Sequence, residues 1–253
     1  MASRSARELF VDGTTQVGER LLRRIEAWLI RYSLVDATPF LPTEQFSWIR
    51  RLEDQSEALR RELDDVLEDW NDLPNFQEIS VDQASITDDD RWKTFFFHGF
   101  GFTAEANCAR CPATAAALAE IPGMTTAFFS ILAPHKHIPE HRGPWRGLLR
   151  YHLALRVPEP ATASGISVGG EVAHWEEGRS LVFDDTYEHF VWNDTDGIRV
   201  VLFVDVVRPL RPPAAQLNRV LLKAIALSPF IQDAKSRHRE WERRFEARNR
   251  VAS

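Results

Sequence analysis

"LLRYHLALRV" (148–157) is the stretch on which the fold turns. In an extended strand successive side chains point to opposite faces. Leu149, Tyr151, Leu153, Leu155 and Val157 then share one face, which calls for an apolar partner layer. Leu148, Arg150, His152, Ala154 and Arg156 share the other. Read alone, that second face is either the wet side of an edge strand or the charged lining of an interior. Six further β-type runs surround it: "WKTFFFHGF" (92–100), "MTTAFFSIL" (124–132), "EVAHW" (171–175), "SLVFDD" (180–185), "HFVWN" (189–193) and "IRVVLFVDVV" (198–207). Gly, Pro, Asn and Asp separate them. Many short strands punctuated by turns predict an all-β sandwich or barrel, and at this length a jelly roll.

Helical patterns flank the β-region. Residues 16–33 carry Leu21, Leu22, Ile25, Trp28 and Leu29 at helical spacing. Arg20, Arg23, Arg24 and Arg31 on the same segment also fit a helix lying on a membrane surface. Docking onto its own domain is the preferred reading. Residues 51–71 form a second helix with Leu52, Leu59, Leu63, Val66 and Leu67 inward, and residues 108–121 a third. Beyond "RPLRPP" (208–213) the chain turns helical again. The expected division is an N-terminal helical region (1–75), a β-domain (76–210) and a C-terminal helical extension (211–253).

The bulk numbers exclude several classes. A chain of 253 residues with net charge −6 gives no general polyanion surface and no expectation of nucleic-acid binding. The basic stretch "AKSRHREWERRFEARNRV" (234–251) is interleaved with glutamates and reads as a solvated helix face. Cys108 and Cys111 are too few for a disulfide framework, and no further zinc ligands lie close in sequence. No stretch reaches the roughly 20 apolar residues of a membrane span. The N-terminus lacks the apolar core of a secretory signal, so the expected location is cytoplasmic.

Charge placed inside the β-region is what points to chemistry. "IRVVLFVDVV" is apolar on both faces and reads as a buried central strand, yet Arg199 stands near its start. A buried arginine needs an anionic partner. Asp205 lies six residues along, about 20 Å away in a strand, too far to serve. A small-molecule carboxylate matches the guanidinium fork. His141 ends "HIPEH" and His189 opens "HFVWN", 48 residues apart, as befits ligands from two facing strands. Neutral imidazoles suit iron, copper, zinc and nickel.

These pieces resemble the aspartyl/asparaginyl β-hydroxylase domain of the Fe(II)- and 2-oxoglutarate-dependent oxygenases. The resemblance rests on "SILAP" (130–134), "HRGP" (141–144), "RYHLAL" (150–155), "WEEG" (175–178), "FDDTYEH" (183–189), "VWND" (191–194) and "RVVLFVDV" (199–206), in order and at the right spacing. It implies a double-stranded β-helix, a cupin-like jelly roll. It implies that His141 and His189 bind Fe(II). It further implies that Arg199, helped by Ser130, binds the distal carboxylate of 2-oxoglutarate, with Arg150 and His152 near the other end. The implied reaction uses O2 to hydroxylate an unactivated C–H bond while 2-oxoglutarate becomes succinate. Gly143 stands where most of the superfamily has an acidic ligand, which is normal for this family. Asp184 and Asp185, in the loop before the second histidine, are then structural or supporting groups, with direct metal ligation as the rival reading.

The substrate is left open among small molecules, peptides, carrier-bound intermediates and lipids. Leu148 replaces an arginine that protein-modifying members carry. The loop "HKHIPEHRGPWR" (135–146) supplies Lys136, Arg142 and Arg146, with His135 and His137, as an expected cationic mouth for an anionic substrate. Trp145 and Trp92 complete the candidate substrate-binding set with Arg142 and Arg146. Peripheral membrane contact is compatible with the flanking helices. The rival readings are a 2-oxoglutarate-dependent halogenase and a non-catalytic jelly-roll binding protein.

Overall fold

The computed structural model describes residues 21–79, 86–99 and 101–227, with residues 232, 235–237, 239–241 and 243 of the C-terminal region. Two antiparallel sheets face each other. The larger has the order β1 (Phe40–Leu41), β9 (Ser180–Phe183), β6 (Leu148–Arg156), β11 (Arg199–Val207), β4 (Met124–Leu132), β2 (Trp92–Gly99) and β3 (Phe102–Thr103). The smaller runs β5 (Lys136–His141), β10 (His189–Asn193), β7 (Ser164–Val168) and β8 (Glu171–Ala173). This is the expected jelly roll, built from short, mostly non-sequential neighbours.

Cross-strand partners share a face, and the register therefore aligns the interior. Arg199 pairs with Leu132, Val201 with Ser130 and Phe203 with Phe128 on one side of β11. On its other side Val201 pairs with Ala154, Phe203 with His152 and Asp205 with Arg150. Arg150, His152 and Ala154 thus point between the sheets and form no wet edge, while the register shift at Val200/Val201 turns Arg156 the other way, half-exposed and paired with Asp64. Its apolar face meets helix α2 (Ile49–Leu67), whose Leu52, Leu59, Leu63 and Val66 are fully buried. Each such side chain contributes on the order of 2 kcal/mol. Trp48, just before α2, meets Tyr151 edge-on at 4.9 Å. The first helical region therefore shares one hydrophobic core with the β-domain.

A second, smaller core joins helices from either side of the β-domain in sequence. Residues 21–30 form helix α1, the short α3 (Phe76–Ile79) follows α2, and Ala214–Ala226 form α6. Leu29, Trp145, Leu148, Leu210, Ala214 and Leu222 pack together there. Only residues 21–30 of the helix expected over 16–33 are described as helical; residues 16–20 lie outside the described residues.

One expectation shifts, and two strands lack the expected hydrophobic pattern. The helix expected over 108–121 is two helices, α4 (Glu105–Arg110) and α5 (Pro112–Ala119). Pro112 fits the first turn of a new helix and not the middle of an old one. Glu62 of α2 then takes the N–H groups of Ala113 and Thr114 at 2.7 and 2.8 Å, capping α5 from outside. Strand β5 escapes hydrophobic patterning because it holds Pro139, which is tolerated since β5 is a sheet edge. Strand β7 escapes because it reads "SGISV". Its Gly165 lies under the Trp192 ring, where a Cβ would stand 2.4 Å from Cζ2.

Candidate active site

His141, at the end of β5, and His189, at the start of β10, are cross-strand partners. Their ring centroids are 4.1 Å apart. Each ring is oriented from behind: His141 Nδ1 lies 2.8 Å from the Pro139 carbonyl, and His189 Nδ1 lies 2.9 Å from that of Tyr187. A carbonyl only accepts, so each Nδ1 carries the proton and each Nε2 keeps its lone pair. Burial lowers the pKa of both rings, His189 to about 3, where the His141 and Arg150 charges add to the effect. Both imidazoles are thus neutral at physiological pH, the form that ligates a metal. Among the described residues, no third His, Cys, Asp or Glu joins them as a cluster of three.

Gly143 has an explicit geometric reason. A Cβ at 143 would sit 2.1 Å from Asp185 Oδ2, so the Asp185 carboxylate fills the space a side chain there would take. The two are also joined through the backbone, Gly143 N–H donating to the Asp185 carbonyl at 2.7 Å. Burial pushes the Asp185 carboxyl up to about 6 against the pull of Arg150. Arg150 pairs with Asp185 at 2.9 Å and with Asp205 at 3.0 Å, and lies over the Phe203 ring at 4.3 Å. Its charge is therefore already answered from within the protein.

Arg199 is the opposite case. It is 1% exposed, and its Nε and Nη1 have no hydrogen-bond partner. Its guanidinium lies over Trp175 at 4.4 Å. Burial alone drags its pKa down to about 9. Both ring nitrogens of His152 and the Trp175 Nε1 are likewise buried without partners. Burial, and then the charges of Arg199 and Arg150, hold His152 neutral, well below the usual histidine range. An unpaired buried guanidinium costs several kcal/mol. A group of orphaned donors around one cation is the complement of a carboxylate ligand. Ser130 lies in the same interior, accepting the Trp92 Nε1–H at 3.0 Å.

The expected cationic mouth does not assemble. Lys136 is buried and paired with Asp89 at 2.9 Å, because β5 turns it away from the cavity. His135 and His137 pair with Asp196 and Asp194 at 3.0 and 2.6 Å. Arg146 spends its guanidinium on Asp184 at 3.2 Å and on the Tyr187 hydroxyl at 3.1 Å. Arg142 alone of these lines the cavity in front of His141, its Nε–H donated to the Thr186 carbonyl at 2.7 Å. Trp92 and Trp145 line it too, and Trp145 is fixed by Nε1–H donation to Asn218 at 2.7 Å.

That cavity holds about 800 Å³. Its polar end is His141, Arg142, Arg150 and Asp185; its walls are Leu22 and Ile25 of α1, Leu221, Ala224 and Ile225 of α6, and Phe76, Ile86 and Phe203. The part of α1 and α6 as cavity walls is not legible in the sequence, where the 16–33 stripe indicates only docking onto the chain's own domain and the helix beyond 213 carries no assigned face.

Comparison with known proteins bears on this site. Residues 53–209 match the family described as aspartyl/asparaginyl beta-hydroxylase. The chain is 47% identical over 232 residues to an ornithine lipid ester-linked acyl 2-hydroxylase of Rhizobium tropici, covering 90% of this chain and 83% of that one. It is 32% identical over 184 residues to human aspartate beta-hydroxylase domain-containing protein 2, covering 68% of this chain but 49% of the human one. It is 35% identical over 127 residues to human aspartyl/asparaginyl beta-hydroxylase, covering 48% of this chain and 16% of that protein. A solved cupin domain from an Enterobacter cloacae regulator overlaps 46% of the chain at 12% identity, with a TM-score of 0.32, too slight to bear on the architecture. The profile spans both histidines, Arg199 and every strand of the interior from β2 to β11, and the chain belongs to the aspartyl/asparaginyl beta-hydroxylase family.

Proposed function

We propose that the chain is an Fe(II)- and 2-oxoglutarate-dependent hydroxylase acting on the acyl chain of a lipid. The observation that carries the substrate class is the cavity: a polar end at His141 and Arg142, and an apolar length walled by Leu22, Ile25, Leu221 and Ile225. An acyl chain beside its ester carbonyl has that same division. The rhizobial relative's name, an ester-linked acyl 2-hydroxylase, agrees with it.

The residues fit the cofactors. Two neutral imidazoles with free Nε2 lone pairs would hold the iron, and Arg199, with orphaned Nε and Nη1, would take a carboxylate of 2-oxoglutarate beside Ser130. Bound together, these groups and O2 supply the oxidising power: one oxygen atom enters the C–H bond, the other enters succinate, and CO2 leaves. The protein's own work is placement. The carbonyls of Pro139 and Tyr187 fix the two rings, and the Arg150 pairs fix Asp185 against Gly143. The Arg142 N–H groups beyond the one given to Thr186 would orient the polar end of the lipid, and the apolar walls would exclude water.

Two rivals are disfavoured by particular atoms. The space beside Gly143 already holds an anionic group, Asp185, which opposes a halide there. A purely binding jelly roll has no need of an unpaired guanidinium behind two free imidazoles. The test is incubation with Fe(II), ascorbate, 2-oxoglutarate and detergent-dispersed ornithine lipid, followed by mass spectrometry of the released fatty acids. The expected product gains one oxygen on the ester-linked chain. Succinate formed with an acidic peptide, and none with the lipid, overturns the reading.

A further inference from the structure

We infer that the outer faces of α1 and α6 form a docking surface for an anionic bilayer, seated around the mouth of the cavity. The inference rests on the lipid reading above, since it says how such a substrate is reached.

Five of the large apolar side chains exposed among the described residues gather on these two helices and the residue after α6. Leu21 is 58% exposed, Val220 62% and Leu227 78%, with Leu22 and Leu217 also open. Their spacing on α6 is deliberate in geometric terms. At 100° per residue, Ala214, Asn218 and Leu222 make the buried stripe, while Leu217, Val220, Ala224 and Leu227 fall on a second stripe facing out. Leu221 and Ile225, half-buried on the adjoining side of the buried stripe, and Ala224, on the outward stripe, line the cavity. On α1, Leu22 is both exposed and part of the cavity wall. The outward apolar surface is therefore continuous with the cavity.

The charge beside it has one sign. Arg23 and Arg24 of α1 and Arg219 and Lys223 of α6 are exposed. The acidic residue on these helices, Glu26, is half-buried and turned inward, accepting the Arg146 backbone N–H at 3.2 Å. This local excess runs against the chain's net charge of −6. Apolar side chains flanked by long cations suit the boundary between acyl chains and anionic headgroups. Within a bilayer the substrate's acyl chain would face this mouth directly, so docking and substrate entry occur on one surface. No helix among the described residues is long and apolar enough to cross a membrane, and the contact inferred through α1 and α6 lies at the bilayer surface.

Sedimentation of the full chain with vesicles tests this without turnover. Wild-type protein should co-sediment with phosphatidylcholine vesicles carrying phosphatidylglycerol, and much less with phosphatidylcholine alone. High salt should weaken binding. Leu217→Gln/Val220→Gln/Leu227→Gln should bind at least about tenfold more weakly, and Arg219→Glu/Lys223→Glu by a similar factor, since each cation near an anionic surface counts for about fivefold. None of these five side chains lines the cavity, so both variants should melt like wild type and hydroxylate detergent-dispersed lipid at the wild-type rate. Wild-type protein that ignores anionic vesicles overturns the inference, as do variants that bind as tightly as wild type. So does a wild-type dimer that the apolar variant converts to monomer without any vesicle binding, since a second copy would then own the face. Vesicle binding without any lipid product sinks the proposed function and leaves the docking surface standing. Lipid product without vesicle binding does the reverse.

Discussion

Arg199 and Arg150 sit in one interior and differ in their partners: Arg150 has Asp185 and Asp205, and Arg199 has no carboxylate. Removing Arg199 should therefore cost little in fold and much in co-substrate. Arg199→Ala should weaken 2-oxoglutarate binding by about two to four decades, the 3–5 kcal/mol of a lost buried partner. Arg199→Lys should fail as well, because a point charge does not replace a fork. Calorimetric titration with 2-oxoglutarate reads both, and unchanged binding in Arg199→Ala removes the case for a carboxylate site. His141→Ala and His189→Ala should each abolish stoichiometric Fe(II) binding, measured anaerobically, because no carboxylate among the described residues shares the ligation. Stoichiometric iron in the double variant refutes the pair.

His152 gives a pH signature at the same scale. Its folded pKa lies well below its unfolded value near 6.5. The unfolded chain therefore binds the extra proton, and the stabilising effect of keeping the ring neutral is present above about 6.5 and lost as pH falls through it. The slope is at most about 1.4 kcal/mol per pH unit for one ring. The metal-free wild type should lose thermal stability between pH 7.5 and 5.5. His152→Leu, in a pocket formed by Phe183, Phe203 and Trp175, should lose less over that interval. Equal losses in the two proteins would exclude His152 as a source of the acid limb.

Among the elements, legibility follows the number of independent signals. Strands β2, β4, β6 and β11 have alternating or wholly apolar runs and were readable to within a residue or two. Strand β5 is legible only as the strand that ends at His141, since "KHIPEH" has no apolar run and is held by pairing with β10, which only tertiary structure supplies. Arg199 was legible because a charge inside an apolar run is a local contradiction. The Arg150 pairing was not: Asp185 and Asp205 reach it from separate elements. The loops have their own hub in Arg208, just past β11. Its Nη2 donates to Asp184, its Nε to the Arg146 carbonyl at 2.9 Å and its Nη1 to the Asp36 carbonyl at 3.3 Å. Both Arg208 and Asp184 are buried. Arg208→Met should strand the Asp184 charge and cost about 3–5 kcal/mol, lowering Tm by about 10 °C. A melt within a degree or two of wild type would show that Arg146 alone can hold Asp184.

At the scale of the whole molecule, the jelly roll holds the proposed iron and co-substrate positions, while the cavity in front of them is completed by helices α1 and α6, which lie far apart in sequence. Helix α6 is held there by Asn218, which accepts from Trp145 Nε1 and donates to the Gly147 carbonyl at 2.9 Å. Helix α1 is held by Leu29 within the second core. Neither contact touches the histidines, so the length and bore of the cavity can change without disturbing them. Leu221→Trp or Ile225→Trp should fill part of the apolar length. The expected outcome is a shift toward shorter acyl chains, with kcat/KM for long-chain lipid falling at least about tenfold, since one misfitted side chain in an apolar pocket is worth 1–3 kcal/mol. Fe(II) and 2-oxoglutarate binding should stay at wild-type values, because both positions lie across the cavity on β5, β10 and β11. If chain-length preference is unmoved while both variants fold, the acyl chain does not run between α1 and α6. If iron or 2-oxoglutarate affinity falls with it, the separation between the barrel's site and the helices' cavity is wrong.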